Sequence, residues 1–70
     1  LPINSIAQAD SVLRDLDANI ESVRKMSSNW ITINDPTRPP TRQLKPAAST
    51  RINVLKTRRG EIQNLKLGLQ

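Results

Sequence analysis

The chain has no cysteine, histidine, tyrosine or phenylalanine, a single tryptophan and two glycines among its 70 residues. Each absence removes a class of chemistry. Without Cys or His there is no zinc finger, no thiol nucleophile, no haem ligand and no imidazole base. Two glycines leave no phosphate-binding loop. With Trp30 as the sole aromatic, a β-sandwich core is disfavoured. No apolar run approaches the roughly 18 residues that a membrane-spanning helix requires. The chain opens on leucine rather than methionine, so it follows processing or is a piece of a longer protein, and it lacks the plan of a signal peptide. Nothing in the sequence assigns a compartment.

What remains is an aliphatic, basic chain. Its apolar residues, 36% of the total, are almost all Leu, Ile, Val and Ala. Such residues suit helix-on-helix packing, where short side chains interdigitate. The net charge is +5, and it is unevenly spread. Residues 1–35 carry five acids and three bases, whereas residues 36–70 carry one acid and eight bases. Either the two halves attract each other in a folded-back chain or the basic half faces an anionic partner.

Residues 1–33 read as one long amphipathic helix. Ser5 and Gln8 have the spacing of a capping box, with Pro2 placed harmlessly before it. Ile6, Ala9, Leu13, Leu16, Ile20, Val23, Ser27 and Trp30 follow in alternating steps of three and four, an a/d seam interrupted only by Ser27. Val12, Met26 and Ile31 widen the stripe, and Asp10, Asp17 and Glu21 line one flank. The end of this helix has an alternative. Trp30-Ile31-Thr32-Ile33 has strong β-propensity and suits an extended finish.

Residues 34–46 hold four of the five prolines and read as a stiff linker. Residues 47–70 read as a basic second helix. Ala48, Ile52, Leu55, Arg59, Ile62, Lys66 and Leu69 keep the heptad spacing, although two of these seven positions are basic. Gly60 sits within the pattern, so a break there is the alternative. Residues 65–69 also alternate with period two, which leaves a short strand open.

The expected fold is therefore all-α: a helical hairpin of two amphipathic helices, completed by oligomerisation or docking. Antiparallel pairing places Trp30 opposite Ala48, Val23 opposite Leu55, Ile20 near Arg59 and Leu13 near Lys66. Arg59 then lies beside Asp17 and Glu21, and Lys66 within reach of Asp10. The candidate packing interface is Ile6, Leu13, Leu16, Ile20, Val23, Trp30, Ile52, Leu55 and Ile62. The candidate contacts to an anionic partner are Arg38, Arg42, Lys45, Arg51, Lys56, Arg58, Arg59 and Lys66.

No catalytic constellation is present. Asp15 and Asp17 diverge on a helix, Asp10, Asp17 and Glu21 sit on a convex solvated face, and no serine has a histidine partner. The sequence implies no enzyme activity, no metal, no cofactor and no small-molecule substrate. Its leading functional reading is a structural or assembly subunit whose partners are proteins or further copies of itself. The competing reading is a sequence-independent nucleic-acid contact of virion or nucleoid type. The basic half holds no aromatic on which bases would stack, so that contact is to phosphates alone. A third reading takes the linker as a peptide ligand for an SH3-like domain. Pro36 and Pro39 have the core spacing, but Arg42 falls one place late in the flanking register.

Overall fold

A computed structural model describes residues 3–70; Leu1 and Pro2, with the reading of Pro2 before the helix cap, lie outside the described residues. Two packed helices, α1 (Ile6–Lys25) and α2 (Pro46–Leu69), are joined by a short antiparallel ribbon of β1 (Trp30–Ile33) and β2 (Thr41–Leu44). The all-α expectation is thus corrected: the chain is mostly helical, with a two-stranded sheet between the helices.

α1 starts where the capping residues place it. The Ser5 Oγ accepts from the Gln8 backbone N–H at 3.1 Å. The Gln8 side chain reaches back to the backbone N–H of Asn4, one residue before the cap, at 2.6 Å. These bonds satisfy amide donors that have no partner within the helix.

The helix ends at Lys25, although the three-four spacing runs on to Ser27 and Trp30. The residues beyond it explain the stop. Ser27, Ser28 and Asn29 are indifferent helix formers, and they form a single 3-10 turn. Asn29 Nδ2 donates to the Val23 carbonyl at 3.0 Å. Trp30 Nε1 donates to the Arg24 carbonyl at 2.7 Å. Two carbonyls at the end of α1 thus find side-chain donors from residues six positions on. Arg24 and Lys25 in the last turn also suit the negative end of the helix dipole.

Trp30 therefore opens β1 rather than closing the helical seam. It pairs with Leu44, Ile31 with Gln43, Thr32 with Arg42, and Ile33 with Thr41. The β-branched run in β1 favours this extended backbone. Pro39 and Pro40 bias the residues before them toward extended conformations and keep the loop from turning helical. Residues 41–44, read from sequence as linker, form the second strand. The Lys45 N–H bonds to the Asn29 carbonyl at 2.8 Å and closes the base of the ribbon.

α2 begins with Pro46, whose missing N–H costs nothing at a first helical position. It runs unbroken past Gly60 and through residues 65–69, so neither the break nor the terminal strand forms. Gly60 has helical backbone, and a Cβ added there meets nothing within 4 Å. Gly60→Ala is accordingly expected to stabilise the protein by about 1 kcal/mol. Thermal unfolding checks this; a lowered midpoint would mean that the glycine has a packing role.

Ala9, Leu13, Leu16 and Ile20 of α1 and Ala48, Ile52, Leu55 and Ile62 of α2 are buried. Ile3, Val12, Val23 and Leu44 pack against the edge of this core, so β2 contributes to it through its last residue. The helices are antiparallel, and two ion pairs mark their register. Asp10 meets Lys66 Nζ at 2.7 Å, and Asp17 meets Arg59 Nε at 2.7 Å. The two pairs lie one heptad apart on each helix, as the sequence pairing anticipated. Glu21, also expected beside Arg59, pairs instead with Lys25 at 3.8 Å.

The molecule is a rod of 54 × 18 × 16 Å with a radius of gyration of 16.4 Å. A globular chain of this length has a radius near 11 Å. Its accessible surface, 5359 Å², exceeds the roughly 4,400 Å² typical of a folded monomer of this mass.

Candidate functional site

Two features stand apart from the buried seam: a set of uncovered apolar side chains and a cationic ribbon segment.

Of the nine packing residues expected from sequence, Leu13, Leu16, Ile20, Ile52, Leu55 and Ile62 are buried between the helices. Val23 packs at the core edge, Trp30 is half-buried in the ribbon, and Ile6 is exposed. The seam within the chain uses these side chains on one face of each helix. Other apolar residues are left in solvent. Val54, Leu65, Leu67 and Leu69 are exposed on α2, Met26 just beyond α1, and Ile31 and Ile33 on β1. The apolar residues of α2 are spread around the helix, so one partner helix cannot cover them all.

Ile31 and Ile33 share one face of the ribbon because strand side chains alternate. Trp30, Thr32, Arg42 and Leu44 share the other. There the Arg42 guanidinium lies over the Trp30 indole, 5.0 Å from the ring centroid, in a cation–π contact between diagonal neighbours. This pair escaped the sequence reading. Only the ribbon register brings the two residues together, and residues 41–44 carry no periodic signal of their own.

The structure divides the eight expected anion contacts. Arg58 pairs with Glu61 at 3.2 Å, Arg59 with Asp17 and Lys66 with Asp10. The Arg59–Asp17 hydrogen bond, followed by the attraction between their charges, holds the guanidinium more firmly protonated than usual. These three bases face acids of the chain itself. Among the described residues, Arg38, Arg42, Lys45, Arg51 and Lys56 have no such ion pair. Arg38 lies in the loop between the strands, Arg42 on β2 and Lys45 immediately before α2, so these three bases are spread along the ribbon segment.

The acid in that loop, Asp35, is engaged locally. Its Oδ1 accepts from the Thr37 backbone N–H at 2.9 Å and the Thr37 hydroxyl at 2.7 Å. The backbone bond, then the hydroxyl, lowers its carboxyl below the ordinary 3.8. The turn's contribution to stability is therefore complete above the ordinary carboxylate range. It is lost as pH falls through the lowered folded value. No described helix is long and apolar enough to cross a membrane. Nor do the described residues contain a group of three His, Cys, Asp or Glu side chains able to hold a metal ion.

The chain matches no protein-family model, no curated protein and no solved structure.

Proposed function

We propose that this chain is a non-enzymatic structural subunit, a helical hairpin that packs through coiled-coil-like surfaces into a larger multi-subunit complex. The observation that carries the reading is the balance of its apolar residues. Among the described residues, eight hydrophobic residues are buried and eight large ones remain exposed, on a rod with more surface than a compact chain of its mass. The presence of as many large apolar side chains in solvent as apolar ones in the core supports a role in which further protein surface covers some of them. Two helices and a ribbon also make a thin core for a chain that has no cysteine to form disulfides.

Sedimentation velocity and circular dichroism across a hundredfold concentration range test this reading. Assembly raises sedimentation coefficient and helicity together, and Leu65→Asp, which puts a charge on an exposed apolar position of α2, reduces both increases. A fully helical monomer with identical values at every concentration, and with no protein partner, contradicts it.

The cationic ribbon segment supports a second reading, contact with nucleic-acid phosphates. Arg38, Arg42 and Lys45 are the residues to test, because Arg58, Arg59 and Lys66 are engaged within the chain. If they contact phosphates, the logarithm of the binding constant falls linearly with that of salt concentration. The slope then becomes shallower when all three are changed to Gln. Binding that ignores salt, or that survives the triple substitution unchanged, removes this reading.

A further inference from the structure

The exposed flank of α2 has a pattern that names its own partner. Ala47, Arg51, Val54, Arg58, Glu61, Leu65 and Gly68 follow in alternating steps of four and three. This row lies about a quarter turn around the helix from the buried Ile52, Leu55 and Ile62. All seven residues are exposed. Val54 and Leu65 are 58% and 50% accessible, a large exposure for aliphatic side chains at heptad positions.

Read in reverse, the row complements itself. An antiparallel copy centred between residues 59 and 60 sets Val54 against the partner's Leu65 and Arg58 against the partner's Glu61. Arg51 falls opposite Gly68, where an added Cβ would meet nothing within 4 Å and the long side chain has room to lie. Val54 and Leu65 meet each other across the axis, and each member of the central charged pair meets its opposite. A parallel, in-register copy would instead set Arg58 against Arg58 and Arg51 against Arg51. The charge on this flank thus selects one orientation. A shallow depression lined by Thr50, Val54, Thr57, Arg58 and Glu61 lies where the partner's Leu65 would insert.

We propose that a second copy of this chain docks antiparallel on the Arg51–Gly68 flank of α2, with Val54 on Leu65 and Arg58 on Glu61 across a two-fold axis. The proposal rests on the assembly reading above and supplies its partner.

Charge reversal tests it. Arg58→Glu and Glu61→Arg each create like-charge contacts across the axis, and each is expected to weaken dimerisation about tenfold in sedimentation equilibrium. An equimolar mixture of the two variants restores opposite charges at both contacts, so its mixed dimer regains wild-type affinity. Arg58 and Glu61 also pair within one helix at 3.2 Å. Loss of that internal pair would not be rescued by mixing. Because the chain has no native cysteine, orientation can be read separately. Val54→Cys mixed with Leu65→Cys forms a disulfide-linked dimer. Val54→Cys alone does not, because its two copies lie about 16 Å apart along the axis.

A wild-type chain that is monomeric at every concentration overturns self-docking and leaves assembly with a different protein standing. Dimers that withstand both single reversals, show no rescue on mixing, or cross-link through Val54→Cys alone overturn the antiparallel flank.

Discussion

Ile62→Ala is expected to remove about 2–5 kcal/mol of folding stability, the usual loss for an isoleucine truncated in a close-packed core. Ile62 is fully buried, at 0% exposure, and is the largest side chain so enclosed among the described residues. A chain of 70 residues has a total stability of only about 4–10 kcal/mol. The substitution therefore takes a large share of it, and the thermal midpoint should fall by roughly 10–30 °C. Val54→Ala, on the same helix but facing solvent, supplies the contrast. In dilute solution it should change stability by no more than about 0.5 kcal/mol. Equal effects at the two positions would mean that α2 does not present Ile62 to α1.

Trp30→Ala is expected to melt the ribbon while the helix pair survives. Trp30 holds three connections at once: its N–H to the Arg24 carbonyl, its ring beneath Arg42, and its pairing with Leu44. The hydrogen bond contributes about 1 kcal/mol, the cation–π contact about 0.5–1, and partial burial of the ring a similar amount. The summed loss is about 2–3 kcal/mol. A two-stranded ribbon is marginal on its own, so this suffices to open it. Amide exchange across residues 31–43 should rise to the rate of an unstructured chain, with helical dichroism nearly unchanged. Trp30→Phe keeps a ring for Arg42 but loses the N–H, and should fall between the two. Ribbon protection unchanged in Trp30→Ala would show that the strands are held by something other than the indole.

The parts of the fold legible in the sequence are those set by repeated burial. The three-four spacing of Ala9, Leu13, Leu16 and Ile20 has one physical meaning, and these residues line the helix interface. The register was legible because Arg59 and Lys66 occupy seam positions and a base there must reach an acid. Asp17 and Asp10 on the flank of α1 are the acids they meet.

The ribbon was legible on one side only. Trp30-Ile31-Thr32-Ile33 shows its β-propensity, but a strand exists through its partner. Residues 41–44 reveal nothing without the register that pairs them. The end of α1 was obscured by Ser27 and Trp30, which happen to continue the heptad spacing. There, side-chain hydrogen bonds from Asn29 and Trp30 to the last carbonyls decide the outcome. Gly60 left a break in the second helix open as an alternative, and α2 runs through it. Its cost in a helix is about 1 kcal/mol, less than the burial of Ile52, Leu55 and Ile62 on either side returns. The cationic set was legible as charge but not as availability, since only the packed helices show which bases are already paired.

The central claim is that the two-helix body is an incomplete fold which gains stability by assembly. Native-state hydrogen exchange, read amide by amide at a low and a hundredfold higher concentration, tests it most directly. Binding that favours the folded state adds stability by mass action. The account predicts modest protection at the core positions Leu13–Ile20 and Ile52–Ile62 in dilute solution, rising with concentration. Strong protection that is identical at both concentrations would contradict it.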